Sequence, residues 1–470
     1  MPATWGKINA REIMPPISGT LISGNQKTVF TGISTDSRSI GKGDLFWALI
    51  GERFDGHDFV HRAVEQGAAG VVVQKDRVDN ASYPDNPVVI VVHDSLKAFG
   101  DLAGWWRHQH NALVTAITGS SGKTTTKEMT AAILRMSSRT LVTQGNFNNL
   151  IGLPTTLYQL DKGHQKAVLE MGMNRPGEIA RLTEIADPDV GIITNVGIAH
   201  LEGVGDIYGV ARAKVELLEK ISPQGKVILN GDDQLLMDTA APFKKDAITF
   251  GVDNKNDIFA TEIQNLGFEG LSFRLHYQDH FWPVRLHVPG HQNVFNALAA
   301  ATICLSLNEP PQHIVEGLAQ FSGVNKRFSL ISLPGDVILV DDTYNANPSS
   351  LKAAVESVRA LVDKGYRLIV GLGDMMELGK TTASAHREAG RLVANLGARH
   401  FVAIGEHALD MVTGAVDSGM NRNSAETVTS HDEMVSILKD NMKEGDLILL
   451  KGSNKMELGR VVERLKNECH

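Results

Sequence analysis

Cysteine is nearly absent: the 470 residues hold two, Cys304 and Cys469. That rules out a disulfide framework and suits a reducing compartment, so a cytoplasmic protein is expected. Cys304 sits in an apolar helical run and reads as a small core residue. No apolar run approaches the roughly 18 residues of a membrane span. The first residues, MPATWGKINAREI, lack a basic start followed by an apolar core, so no signal peptide is expected. Positive charge is also not in excess: 46 Lys and Arg stand against 54 Asp and Glu, a formal net charge of −8. A general nucleic-acid binder would carry a basic footprint, so nucleic acid is not an expected partner. There is no internal short repeat and no low-complexity segment. The remaining composition is that of an ordinary globular chain, and the length suggests about three domains.

The stretch that organises the chain is LVTAITGSSGKTTT, residues 113–126. A β-branched apolar run ends in Thr118-Gly119-Ser120-Ser121-Gly122-Lys123-Thr124-Thr125, and a helical pattern follows. A strand, a glycine-rich turn and a helix start aim backbone N–H groups at a phosphate, and the helix dipole favours its charge. In such a loop Lys123 reaches the terminal phosphates and the Thr124 hydroxyl ligates Mg²⁺. The strict pattern has glycine five residues before Gly122, where this chain has Ile117. The loop is a shortened variant. It indicates a nucleoside triphosphate without naming a reaction.

An α/β chain of three domains is predicted. Residues 1–97 form a small α/β unit, with β-like runs at 33–38, 44–51, 54–59, 71–74 and 88–92 and a helix from residue 60. Residues 98–324 form a doubly wound mononucleotide-binding domain, with strands near 113–119, 140–145, 166–172, 189–196, 226–233 and 247–251. Antiparallel strands follow over 255–285, then a long apolar helix. Residues 325–470 form a Rossmann-like unit with strands near 336–342, 367–374, 400–406 and 446–453. It lacks Gly-x-Gly-x-x-Gly after its first strand, so a dinucleotide is not indicated.

Ligands of such sheets bind beyond the carboxyl ends of the strands, which ranks the polar residues by position. Asn146, Asn148 and Asn149 follow one strand, Glu170 ends another, and His200 follows a third. Glu170 and His200, with Thr124, suit a divalent cation that keeps water and phosphate oxygens as ligands. His200 also reads as a hydrogen-bonded loop histidine. Lys214, in VARAKVELLEK, reads on spacing alone as part of a solvated helix face. Asn293 and Asn296 share one face of the apolar helix, since i and i+3 are neighbours. They suit either base recognition or capping. Ser37 and Arg38 suit a diphosphate, with an exposed turn as the alternative, and His57 suits a polar turn. Asp341 to Pro348, DDTYNANP, makes a dense polar strand end. Asp374 with Glu377, and Lys451-Gly452-Ser453, are further strand-end groups.

The ordered set TDSR, GDLFWALIGERFDGHDF, TGSSGKTTT, GNFNNLIGLP, LEMG, TNVGIAHLEG, ARAKVE, GHQNVFNALAA, KRF, DDTYNANP, GLGDMMELG and LKGS spans nearly the whole chain. It resembles the Mur ligases, the ATP-dependent amide-forming enzymes of peptidoglycan precursor synthesis. Within the family, DDTYNANPSS and GDMMELG point to addition of D-alanyl-D-alanine to a UDP-N-acetylmuramoyl-tripeptide. The diaminopimelate-adding member carries a C-terminal Asp-Asn-Pro-Arg. The one Asp-Asn-Pro here, at 85–87, precedes Val88 in the first segment.

The resemblance implies an acyl phosphate made from ATP and attacked by an amine. It implies phosphate contacts from Gly119, Ser120, Ser121, Gly122, Lys123, Thr124 and Thr125. It places Thr124 and Glu170 on one Mg²⁺ and His200 on a second. Lys214 matches a lysine that several relatives carbamylate, which would make it a metal ligand. Asn293 and Asn296 fall to the nucleotide, Arg327 to its phosphates and Asp342 to its ribose. Ser37, Arg38, Gly56 and His57 fall to the uridine diphosphate. Asn146, Asn148 and Asn149 fall to the substrate, and Tyr344, Asn345 and Asn347 to the dipeptide. The partners implied are small molecules, on a monomer. Because Arg327 and Asp342 belong to a different domain from Lys123, domain closure is expected to complete the site.

Two other readings compete. A relative of the folylpolyglutamate synthetase type would lack residues 1–97. A nucleotide-binding regulator would not need Lys123, Glu170, His200, Lys214 and Arg327 together.

Overall fold

The central strands are continuous apolar runs because helices cover both faces of their sheet, leaving no face for polar alternation. The computed structural model describes residues 3–51, 53–78, 86–199, 201–243 and 246–468. Three sheets follow one another along the chain.

The first has six strands, in the order Ala3–Asn9, Val29–Ser34, Leu45–Trp47, Gly70–Gln74, Val88–Val92 and Thr20–Ser23. Its two edge strands pair antiparallel and its centre is parallel. The edge strands Ala3–Asn9 and Thr20–Ser23 were not foreseen. The run at 54–59 is not a strand: Gly56–Phe59 forms a single 3₁₀ turn started by the Asp55 side chain.

The second sheet has nine strands. Leu113–Thr118 lies between Val190–Ile193 and Lys166–Glu170, parallel to both. The chain winds one way through Thr140–Val142 and the other way through Lys226–Asn230 and Ile248–Gly251. The phosphate loop thus leaves the sheet where the winding reverses, the crevice in which open α/β sheets bind ligands. An antiparallel extension, Ile258–Asn265, Leu271–Tyr277 and His280–Leu286, completes this sheet. The third sheet has six strands, parallel except for Ser329–Leu333 at one edge.

The three units are not equally joined. One apolar cluster runs from Trp5, Phe30 and Trp47 in the first unit to Leu102, Val114 and Leu169 in the second. The helix Ser95–His108 runs across position 97, where the division between the two units was expected. Trp47 donates its indole N–H to the Ser95 carbonyl at 2.9 Å. Its ring meets Phe99 edge-on at 5.4 Å, and Phe99 meets Tyr158 at 5.1 Å. The third unit has apolar clusters of its own, with Phe268 from the central hairpin packed against one of them. That asymmetry makes units one and two a single platform.

Phe99→Ala removes the ring at the centre of this junction and should cost about 3–5 kcal/mol. Urea unfolding followed by tryptophan fluorescence should show a lowered midpoint, with the first two units losing structure together.

Candidate active site

The phosphate loop bends through two glycines at which any side chain would be strained. Gly119 has φ +149° and a Cβ there would lie 1.9 Å from Thr194 Oγ1; Gly122 has φ +80° and a Cβ there would lie 2.3 Å from Asn296 Oδ1. Gly122 precedes the helix Lys123–Leu134 without a side-chain cap. The first N–H groups of that helix therefore have no intrahelical partner and face the loop's concavity, which suits an anion.

The loop is held by its neighbour, residues 194–197. Ser120 N–H donates to the Asn195 carbonyl, and Ser121 N–H to Asn195 Oδ1 at 2.9 Å. Ser120 Oγ donates to the Gly197 carbonyl and accepts from Gly197 N–H. Thr194 Oγ1 donates to the Ser121 carbonyl at 2.7 Å. Asn195 and Thr194, missed in the sequence reading, are the residues that shape the cradle. Their signal was their place at the end of the adjacent strand.

Lys123 folds back and donates to the Gly119 carbonyl at 2.8 Å. Burial lowers its pKa below the ordinary lysine value; the Glu170 carboxylate opposes this and the Arg327 cation adds to it. Glu170 is 2% exposed. Its Oε2 accepts from the Thr124 hydroxyl at 2.8 Å and its Oε1 from Asn148 Nδ2 at 2.9 Å. One carboxylate and one hydroxyl side by side are hard oxygen donors, the chemistry of a Mg²⁺ that keeps water and phosphate as its other ligands. Lys127, fully buried, donates to the Thr143 carbonyl, and Thr143 Oγ1 accepts from Glu170 N–H.

Lys214 overturns the solvated-face reading, being 1% exposed. Burial takes its pKa well below the usual lysine value, and the Lys123 cation pushes in the same direction. Its helix neighbour Glu216 points elsewhere, accepting from Gly177 and Ala180 N–H. His200 lies outside the described residues.

Asn293 and Asn296 share a face as expected, joined by a 2.9 Å bond from Asn296 Nδ2 to Asn293 Oδ1. Asn293 lines a cleft of 310 Å³ between the second and third units, with Thr125, Phe268, His287, Phe321 and Arg327. Arg327 comes from the third unit, and its guanidinium stacks 4.0 Å over the Tyr344 ring. Its buried Nε has no hydrogen-bond partner among the described residues. Lys326 and Phe328 on either side have φ +61° and +55°, a strain that functional segments carry. Asp342 is not among the residues lining that cleft. Its carboxylate accepts from Phe328 N–H and from Lys451 Nζ at 2.6 Å. Burial raises its pKa and Lys451 opposes the rise. Lys451 also donates to the Asn345 carbonyl, tying the ends of two strands together.

Several candidates have structural work in this arrangement. Both ring nitrogens of His57 are engaged, Nδ1 with Asp55 at 2.6 Å and Nε2 with Gln74 N–H at 2.9 Å, so its ring has no nitrogen left for a ligand. Gly56 is needed because a Cβ would lie 2.7 Å from Leu49 N. Asn149 Oδ1 accepts from Ile151 and Gly152 N–H. Asn347 forms a capping box with Ser350 at the start of Pro348–Val362, and Asn345 Oδ1 accepts from Ala346 N–H. Ser37 is buried, Asn146 is exposed, and Arg38 is exposed and paired with Asp36, whose pKa its hydrogen bonds lower to about 2.

Three family models cover this architecture in sequence order. Residues 29–104 match the Mur ligase family catalytic domain, 117–304 the Mur ligase middle domain, and 326–454 the Mur ligase glutamate ligase domain. The chain belongs to the Mur ligase family. Among Mur ligases it is similar to the UDP-N-acetylmuramoyl-tripeptide--D-alanyl-D-alanine ligase of Bacillus subtilis (strain 168), 34% identical over 461 residues and 98% of each chain. A crystal structure of MurF from Acinetobacter baumannii superposes with a TM-score of 0.88 at 34% identity, covering 99% of this chain and 100% of that one. MurF ligase from Thermotoga maritima in complex with ADP superposes at 0.82 with 27% identity, covering 93% and 97%.

Gly122→Ala should weaken ADP binding by about tenfold or more, from the cost of a side chain at positive φ and its clash with Asn296. Titration calorimetry checks the affinity, and an unchanged far-UV spectrum checks that the fold persists.

Proposed function

We propose that this chain joins D-alanyl-D-alanine to UDP-N-acetylmuramoyl-tripeptide, converting ATP to ADP and phosphate. The end-to-end match to a relative of that name carries the reading. The geometry supports it, because the Arg327 cation of the third unit lies close enough to Lys123 of the phosphate loop to add to the lowering of its pKa that burial causes.

A carboxylate oxygen of the tripeptide attacks the terminal phosphorus of ATP, and ADP leaves. The dipeptide amine then attacks the acyl carbon. Phosphate departs with the electrons of the C–O bond, and the amine's proton goes to water. Phosphoryl transfer of this kind is mostly positioning and charge neutralisation. Lys123 and Arg327 bring two cations to the phosphates from opposite units. Residues 119–125 bind them with backbone and hydroxyl donors. Asn293 faces the nucleotide cleft, while Asn296 stands behind Gly122 and holds Asn293 in place.

Thr124 and Glu170 would hold Mg²⁺, with His200 and Lys214 toward a second ion. Bound there, the metal neutralises phosphate charge and fixes oxygen geometry. Lys214 suits carbamate formation because burial, with the Lys123 cation beside it, shifts its amine toward the uncharged form, the form that adds CO₂. Asp342 acts through its bond to Phe328 N–H, behind Arg327. Ser37 and Arg38 bind the uridine diphosphate, with Gly56 shaping their surroundings. Tyr344, Asn345 and Asn347 form the wall nearest the incoming dipeptide, and Asn146 with Asn148 the wall near the muramoyl peptide.

Phosphate release with ATP, Mg²⁺, the UDP-linked tripeptide and single amines tests the reading. Release is expected with D-alanyl-D-alanine and not with glutamate or diaminopimelate; none with any amine overturns it. Lys123→Ala should abolish turnover and leave binding of the UDP-linked tripeptide within about threefold, since that ligand's anchor is in another unit. With ¹³C-bicarbonate, a carbamate signal is expected in the native chain and its loss in Lys214→Arg.

A further inference from the structure

Among the polar contacts by which the third unit docks on the platform, one falls on the segment that shapes the phosphate loop. Ser349 Oγ accepts from Ile198 N–H at 3.1 Å. The Gly197 position is packed so tightly against this hydroxyl that a Cβ there would lie 2.7 Å from it. We propose that Gly197 and Ser349 form a latch through which docking of the third unit sets the phosphate loop for turnover. The proposal rests on the ligase reading above.

Both sides of the contact are held by further hydrogen bonds. Ser349 sits one residue into the helix Pro348–Val362, behind Pro348 and inside the Asn347–Ser350 capping box. On the other side, Gly197 exchanges two hydrogen bonds with Ser120 Oγ, one through its N–H and one through its carbonyl. Val196 N–H is anchored on Asp233 Oδ2 at 2.7 Å. A displacement of Ile198 therefore reaches the phosphate loop through a single residue.

The remaining contacts across this face place the latch in the docked arrangement. Glu202 N–H donates to the Glu377 carbonyl at 3.2 Å. Ser357 Oγ donates to Gln292 Oε1 at 2.8 Å. The Phe268 and Tyr366 rings meet edge-on at 5.1 Å. Of these, the Ser349 contact is the one within a residue of a phosphate-loop partner. Losing its acceptor leaves the Ile198 N–H without the docked-state bond, a cost that falls on closure and not on the folding of either unit. Ser349 and Gly197 are positioning residues: they touch no reacting atom.

Steady-state kinetics of Ser349→Ala, Ser349→Thr, Gly197→Ala and the double variant Gly197→Ala/Ser349→Gly test the latch. Ser349→Ala should lower kcat about three- to tenfold, the scale of the net worth of one hydrogen bond, with KM for the UDP-linked tripeptide unchanged. Ser349→Thr keeps the hydroxyl and should keep kcat. Gly197→Ala should lower kcat further, and removing the Ser349 side chain in the double variant should restore part of it. Solution scattering with an ATP analogue and the UDP-linked tripeptide should show compaction in the native chain, none in Gly197→Ala, and a return in the double variant. Native kcat in Ser349→Ala overturns the latch, as does a Gly197→Ala defect that Ser349→Gly leaves untouched. The two readings separate cleanly: absence of phosphate release from the native chain overturns the ligase reading, whereas the scattering series still reports on the latch.

Discussion

The phosphate loop keeps its shape through hydrogen bonds to another segment. Its two glycines let the backbone reach torsions that would otherwise be strained, but torsional freedom alone would leave the loop mobile. Residues 194–197 supply the restraint, taking up Ser120 and Ser121 by backbone, side-chain amide and hydroxyl bonds. The segment can do this because its strand is the parallel neighbour of the loop's own strand, in register from Thr115 with Val190 to Thr118 with Ile193. The chemistry of the site thus depends on the sheet's winding order, which puts the two strand ends side by side where the winding reverses.

Charge placement follows from the same layout. Lys123, Lys214 and Arg327 converge on one region from three parts of the chain. Burial lowers the proton affinity of Lys123 and Lys214, and a neighbouring cation adds to it, Arg327 at Lys123 and Lys123 at Lys214. A triphosphate relieves that repulsion, and the strain flanking Arg327 is of the kind that ligand-binding segments retain. Glu170 is the counterweight, and its two oxygens are oriented by Thr124 and Asn148 before any ligand arrives. The first two units share an apolar cluster, whereas the third keeps its own.

Membership of the Mur ligase family was legible from ordered motifs, and so was the sequence of three α/β units. Elements with strong periodicity or long apolar runs came through: the six parallel strands of the central unit up to residue 251, the antiparallel extension after residue 255 and four of the five parallel strands of the third unit lie where they were expected, while Ala425–Val428, the fifth, was not foreseen. The edge strands of the first sheet did not, because ATWGKIN and TLIS carry neither a long apolar run nor a turn signal. The segment 54–59 was misread because its aromatic residues resemble a strand, while Asp55 and Gly56 commit it to a turn.

By itself the sequence determined the identity of the phosphate loop, since Gly119, Gly122, Lys123 and Thr124 act through local torsions and a helix start that spacing encodes. It likewise determined that Glu170 stands at a strand end and that Asn293 and Asn296 share a face, because those relations follow from the periods of strand and helix. Only the tertiary structure decided the state of Lys214, which spacing put in solvent and packing put in the centre. It also decided that His57 and Asn149 hold the backbone, that Lys451 neutralises Asp342, and that Ser349 meets Gly197. Apart from the local turn that Asn149 makes with Ile151 and Gly152, these depend on contacts between residues 17 to 151 positions apart or on which face of an element is covered. Those are properties of how units pack, and no local pattern records them.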